Sequence, residues 1–269
     1  MAQSTGYFVQ IRMFSHFNNT ICVVTVSVVI IHITQVLEVK NMSVYITGDP
    51  HGSSARIAVF CSERNLSKDD IIVLLGDVGA NYFLDHRDLP IKEALNALGP
   101  EVLCIHGNHE ARPWHMVGCA TKVWNGGLVY YQKEFPNILY AKDGEIYRLE
   151  GLNCMAIGGA HSVDRAIREA RGWQWFSDEQ PSAEIKAYVE EQLSNHPVDI
   201  IFSHTCPAKH TPVECFIPGI DQCRVDTRTE EWLDMIEETY SYTAWFCAHW
   251  HTNKRVDKIR FLLDEWEQL

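Results

Sequence analysis

Three short apolar runs constrain the fold of this chain more than any other feature. "SVYIT" (43–47), "IIVLL" (71–75) and "EVLCI" (101–105) are rich in β-branched residues and continuous rather than alternating. A strand wet on one face alternates apolar and polar side chains, whereas a continuous run suits a strand covered on both faces. Between them, residues 55–64 and 91–98 read as helices. Strand–helix–strand alternation implies parallel strands joined by right-handed crossovers, so the fold class is α/β. With 269 residues the chain is long enough to bury such a core.

Beyond residue 110 the pattern changes. Residues 138–141, 145–149 and 153–157 read as meandering antiparallel strands, with "KDG" and "EGLN" as turns. Residues 182–193 form a helix with Glu184, Lys186, Glu190 and Glu191 on its wet side. Short buried strands follow at 199–202 and 243–247, and 254–263 reads as a hairpin. Residues 205–227 have no periodicity and hold three of the nine cysteines, so they are expected to form a long surface loop.

Each buried strand ends in polar groups. The first leads to Asp49 and His51 in "GDPHG", the second to Asp77 in "LLGDVG", and the third to Asn108, His109 and Glu110 in "GNHE". Later strands lead to His204 in "IFSHT" and to His249 and His251 in "CAHWH". Sites in open α/β sheets assemble at the carboxyl ends of strands. A lone histidine there is commonly a hydrogen-bonded surface residue, but five such motifs point to convergence. Imidazole suits Zn, Fe, Ni or Cu, while carboxylate and amide oxygens suit Mn or Mg and can bridge. The set Asp49, His51, Asp77, Asn108, His204, His249 and His251 is what two adjacent divalent ions need.

The first 41 residues differ in kind from the rest. Between Arg12 and Glu38 there is no Asp, Glu, Lys or Arg, and "ICVVTVSVVIIHI" (21–33) is strongly β-branched. A membrane anchor needs about 20 mostly apolar residues, and Asn18, Asn19, Thr25, Ser27, His32 and Gln35 dilute this run. A secretory signal lacks its charged start and cleavage site here. The favoured reading is a non-core leader over 1–41 and a domain over 42–269 that starts at Met42. Leu37-Glu38-Val39-Lys40 can be encoded ctg-gag-gtg-aaa, which contains a bacterial ribosome-binding sequence just upstream of an ATG.

The net charge of −12 argues against a grip on long nucleic acid, which normally needs a basic face. The nine cysteines are odd in number and form no C-x-x-C pair, as expected of reduced thiols in the cytoplasm. No stable membrane association is expected.

The order GD-x-H…GD…GNHE…H…H-x-H resembles the calcineurin-like metallophosphoesterase superfamily from about residue 43 to the end. That resemblance implies a four-layer α/β/β/α sandwich, two mixed sheets flanked by helices. It implies a dinuclear-metal-dependent hydrolase of small phosphate esters, monoester or diester, with a metal-bridging hydroxide as nucleophile. Asp49, His51 and His251 would hold one ion, Asn108, His204 and His249 the other, and Asp77 would bridge. The ions would be Mn, Fe, Zn or Ni, with Mn favoured. His109 would protonate the leaving alkoxide or assist the transition state. The alternatives are a protein Ser/Thr phosphatase-like enzyme and a non-catalytic binding module of the same fold.

Two departures stand out. Relatives often read GD-x-x-D-R-G at the second motif, where the second aspartate orients the catalytic histidine and the arginine contacts phosphate. Here Ala80 and Asn81 take those places, so His109 needs another partner, with Glu110 and Asp164 as candidates. Ala248 also stands where glycine usually precedes the first histidine of the last motif. Arg112, His161 and Arg165 are candidate substrate contacts, whereas Arg168 and Arg171 read as helix-surface charges.

Overall fold

The computed structural model describes residues 42–269 in full and the backbone of 7–17 and 20–30. Its strands are β1 (Tyr7–Phe17), β2 (Thr20–Ile30), β3 (Val44–Thr47), β4 (Ile71–Leu74), β5 (Glu101–Cys104), β6 (Cys119–Trp124), β7 (Gly127–Gln132) and β8 (Phe135–Ala141). They continue with β9 (Ile146–Leu149), β10 (Leu152–Ile157), β11 (Ile200–Ser203), β12 (Ala244–Cys247), β13 (Lys254–Val256), β14 (Ile259–Phe261) and β15 (Glu267–Gln268). The helices are α1 (Ala55–Glu63), α2 (Leu89–Asn96), α3 (Arg165–Arg171), α4 (Ala183–Asn195) and α5 (Arg228–Thr239).

The chain divides into two units, 1–40 and 41–269. In the first, β1 and β2 pair antiparallel, from Tyr7 opposite Ile30 to Phe17 opposite Thr20. The expected leader over 1–41 lies partly outside the described residues. Among those described, no helix is long and apolar enough to cross a membrane.

The second unit holds two mixed sheets, ordered β15-β3-β4-β5-β8-β7-β6 and β13-β14-β12-β11-β10-β9. The runs β3-β4-β5 and β10-β11-β12-β14 are parallel, as the alternation predicts. Side chains alternate faces along each strand. Val73 and Leu75 therefore point between the sheets with Ile46 and Leu103, where they meet Phe202 and Phe246. Ile72, Leu74 and Val102 point the other way, onto Ile57 of α1 and Leu95 of α2. Across the second sheet, Ile201 and Trp245 pack on Val189 of α4 and Leu233 of α5. Both faces of each central strand are thus buried, which explains the unbroken apolar runs. The result is the four-layer α/β/β/α sandwich.

The middle of the chain departs from a simple meander. β8 is antiparallel to β7 but parallel to β5, with Val102 opposite Ile138, so it joins the parallel core to an antiparallel flap. β9 and β10 are antiparallel as expected, and β13–β14 is the expected hairpin. Residues 205–227 are irregular, with single turns at Ala208–His210, Val213–Cys215 and Gln222–Arg224. The carboxyl ends of β3, β4 and β5 and those of β11 and β12 meet at one edge of the sandwich, and every metal-type motif lies on the loops there.

Candidate metal centre

Glycine precedes the first ligand-type residue of each of the first three motifs, and packing gives the reason. A Cβ on Gly48 would lie 1.9 Å from the Leu262 carbonyl oxygen, one on Gly76 2.2 Å from His204 Nδ1, and one on Gly107 2.1 Å from Asp77 Oδ1. The loops approach too closely for any side chain at these positions. Strain concentrates here as well. His51, Asp77, His249 and His251 all have positive φ (44°, 49°, 66° and 50°). Such backbone costs of order 1–3 kcal/mol per residue and persists only where its surroundings hold it. Bonds between loops do so: His51 N–H donates to Asp77 O (2.8 Å), Gly52 N–H to Val78 O (3.1 Å), and Ala248 N–H to His204 O (2.8 Å). Ala248 is not among the positive-φ residues, so alanine there is unstrained.

The seven ligand-type residues form two adjoining groups, joined by the triad Asp49, Asp77 and His204, and a further triad brings His109 together with His51 and Asp77. In the first, Asp49, His51 and His251 bring one donor atom each within 4.8 Å of one another. His51 Nε2 and His251 Nε2 are 2.9 Å apart, and His251 Nε2 is 3.8 Å from Asp49 Oδ2. In the second, Asn108 Oδ1 lies 2.8 Å from His204 Nε2 and 3.1 Å from His249 Nδ1. Asp77 stands between the groups, with Oδ2 3.9 Å from His51 Nε2 and Oδ1 3.6 Å from His204 Nε2.

The donor chemistry fits divalent cations. His204 Nδ1–H donates to the Leu75 carbonyl (2.7 Å), so Nε2 of the neutral ring carries a lone pair. Asn108 donates through Nδ2 to Ser162 Oγ (2.8 Å), which turns its carbonyl oxygen toward that nitrogen. Two acceptors facing each other at 2.8 Å suit a shared cation. In the first group, Asp49 Oδ1 is buried with no hydrogen-bond partner. Buried polar atoms are ordinarily satisfied, so an orphaned carboxylate oxygen again asks for a cation.

Electrostatics favour the ligand form of the four imidazoles and of Asp77, whereas Asp49 is pushed toward its protonated form. Burial lowers the pKa of His51 to about 4, and it also lowers those of His204, His249 and His251. All four are held neutral, as metal binding requires. Burial and the Asp77 carboxylate push Asp49 upward. Burial pushes Asp77 upward too, but His204, His109, His51 and the His109 N–H outweigh it and bring Asp77 to about 2.

His109 sits at the mouth of this centre. Its backbone N–H donates to Asp77 Oδ1 (2.8 Å), and its Nε2 is 3.7 Å from Asp164 Oδ1. Glu110 turns away: it is buried and accepts from Gly107 N–H (3.0 Å), and burial with Asp77 nearby raises its pKa to about 8. It ties the loop together and does not orient His109. The ring's close neighbour is Arg168, whose Nη2 lies 2.7 Å from Nδ1 and 2.9 Å from Nε2. Arg168 is only 6% exposed, so it is not the helix-surface charge expected from the sequence. The spacing Asp164…Arg168 at the start of a helix was the available signal, because (i, i+4) pairs of opposite charge share one face.

The three candidate substrate contacts fall in different places. Arg112 is 1% exposed, ion-paired with Asp143, and donates from Nε to Asp178 O (3.0 Å); its Nη2 is buried without a hydrogen-bond partner, and it lines neither of the two cavities beside the centre. Arg165 is half-exposed, donates to Glu169 (3.0 Å), and lies over the Trp175 ring at 3.6 Å. His161 lines a cavity of about 330 Å³ with Asp77, Asn108 and His109, roofed by Phe216, Ile217 and Trp250. A second cavity, about 650 Å³, opens on Asp77 and His109 from the other side, between Tyr82, Phe83, Arg168 and Trp173.

A four-layer sandwich with Asp, Asn and His loops meeting at one edge defines a class of metal-binding α/β proteins. The family model of calcineurin-like phosphoesterases matches residues 42–253, and the chain belongs to that family. No curated protein sequence matches it. Among solved structures it is similar to TT1561 of Thermus thermophilus (12% identity, TM-score 0.48), covering 85% of this chain and 98% of that one. It is also similar to AQ665 from Aquifex aeolicus, a protein of unknown function (14% identity, TM-score 0.38, covering 83% and 90%). A third likeness is to an archaeal phosphodiesterase (9% identity, TM-score 0.34, covering 85% and 99%).

Proposed function

We propose that this chain hydrolyses small phosphate esters with two divalent metal ions. Asp49, His51 and His251 would hold one ion, Asn108, His204 and His249 the other, and Asp77 would serve both. The observation that carries this reading is Asp77 itself, whose two oxygens face imidazoles of different groups. When bound, the ions supply Lewis acidity, neutralising phosphate charge and acidifying water. Mixed nitrogen and oxygen donors accommodate Mn, Fe, Zn or Ni, and Mn is the first ion to test. His109, fixed by its own N–H to Asp77, delivers a proton from its ring to the leaving oxygen. Two separate cavities opening on Asp77 and His109 favour a diester, one substituent in each, over a monoester. Eight cysteines among the described residues are unpaired, which supports a cytoplasmic site of action.

Reconstitution with each metal, followed by turnover of phosphomonoesters, phosphodiesters, nucleotides and phosphopeptides, tests this reading. Diesters should turn over fastest. Asp77→Asn should nearly abolish turnover and lower the content of both metals, because one carboxylate serves two cations. Full activity in that variant rejects the dinuclear assignment. A wild-type protein that binds metal but turns over no ester is a binding module.

A further inference from the structure

We infer that Arg168 is the phosphate-binding arginine of this site, delivered by α3 and not by the Gly76-Asp77 motif. The inference rests on the phosphoesterase reading and adds the cation that fixes the substrate. An arginine only 6% exposed requires partners for its charge, and Arg168 has them on two sides. Nε donates to both oxygens of Asp164 (2.9 Å each), one turn earlier in the chain, and Nη1 donates to Gln174 O (3.2 Å). Nη2 is left, and it meets only the His109 ring, 2.7 and 2.9 Å from its nitrogens. An imidazole accepts at most one hydrogen bond, while Nη2 carries two N–H groups. At least one N–H therefore remains for another acceptor. It lies where Arg168 lines the larger cavity beside Asp77 and His109.

Other arginines near the centre are committed. Arg56 donates to Thr47 Oγ1 (2.6 Å) and to the Gly48 carbonyl, holding the loop that carries Asp49. Arg112 is buried with Asp143 and lines neither cavity, although its Nη2 has no hydrogen-bond partner. Among the arginines and lysines lining the two described cavities, only Arg87 joins Arg168, and it is half-exposed and forked onto Asp85. Arg168 differs in being held rigid before substrate arrives. A preorganised cation beside the proton donor loses little entropy on meeting a phosphate oxygen. The Asp164–Arg168–His109 chain thus gives the His109 ring a partner that the alanine side chain of Ala80 cannot be.

Binding of inorganic phosphate to the metal-loaded protein, followed by calorimetry, tests the assignment without requiring turnover. Arg168→Gln should weaken phosphate binding about 10- to 100-fold, the loss expected for a charge-assisted hydrogen bond. Metal content should stay as in wild type, and the protein should remain folded at the temperature of the measurement. Arg168→Lys keeps the charge but cannot reach Asp164 and phosphate together, so its loss should be smaller yet measurable. Phosphate affinity within twofold of wild type in Arg168→Gln overturns the proposal. Should Arg168→Gln lose metal or melt early, Arg168→Lys decides: weakened binding with metals in place supports the role, and unchanged binding overturns it. A wild-type protein that binds phosphate but hydrolyses no ester fails the functional reading alone. One that binds no phosphate overturns both.

Discussion

At the scale of single residues, the proposed function separates groups that would hold metal from groups that would handle the substrate. His109 meets Asp77 through its backbone N–H and through its ring, Nδ1 lying 3.7 Å from Asp77 Oδ2, and the ring also faces a cavity; with the seven other ligand-type residues in place, its loss is expected to spare the metals. General acid catalysis contributes about 10²–10⁴-fold. His109→Ala should lose turnover in that range on alkyl esters, with metal content intact, and much less on a nitrophenyl ester whose leaving group needs no proton. Equal losses on both esters would assign His109 to electrostatic stabilisation instead. His161 offers a second test. Its hydrogen bond to Glu179 raises its pKa above the ordinary 6.5, overcoming burial. The folded state thus favours the imidazolium. The stability this adds is fully present below pH 6.5 and lost as pH rises through the folded pKa. In zinc-loaded protein, NMR titration should find His161 above 6.5, and Glu179→Gln should bring it down. An unchanged pKa in that variant removes Glu179 as the cause.

At the scale of elements, glycines decide how closely the loops approach. Gly76 (φ 105°) would set a Cβ 2.2 Å from His204 Nδ1, the nitrogen that must donate to Leu75. Gly52 (φ 77°) also has positive φ, but nothing lies within 4 Å of its Cβ position. Gly52→Ala should cost roughly 1 kcal/mol, from backbone strain alone. Gly76→Ala should cost about 1–3 kcal/mol more, as overpacking does, and release the ion held by His204 first. Denaturant midpoints and metal content check this, and equal costs in the two variants would show that steric approach is not the reason for glycine. These motifs were legible in the sequence because glycine and ligand are neighbours along the chain. The central strands were legible because burial on both faces leaves unbroken apolar runs. The flap strands β6 and β7 were missed although Asn125-Gly126 marks their tight turn, since their half-wet faces carry weak patterns. α5 was missed although Trp232, Leu233 and Ile236 recur at helical spacing. Arg168 was illegible for a deeper reason: its meaning depends on where α3 lies against the loop bearing His109, a contact 59 residues apart in the chain.

At the scale of the whole molecule, the catalytic unit draws its cores from one continuous stretch. The three apolar clusters are built from residue 42 onward, and the order of both sheets uses strands β3 to β15. The start of β3 is anchored from within that stretch. Ser43 N–H donates to Asp70 (3.3 Å), Val44 N–H to Glu150 (2.7 Å), and Leu269 N–H to Val44 O (3.0 Å). The C-terminal strand β15 pairs with β3, Glu267 opposite Ile46, and so covers the edge of its sheet. An uncovered edge there would be an aggregation hazard, and β15 pairs with it. Protein 42–269 should therefore be soluble, bind the same metals and turn over the same esters as the full chain. Its melting temperature should lie within about 4 °C, the shift that roughly 1 kcal/mol produces in a domain of this size. Sequencing the gene gives an independent check, since a purine-rich GGAGG-like stretch just before the Met42 codon is expected. If protein 42–269 is insoluble or inactive, the antiparallel pair β1–β2 belongs to the working fold and translation from Met42 cannot yield the enzyme.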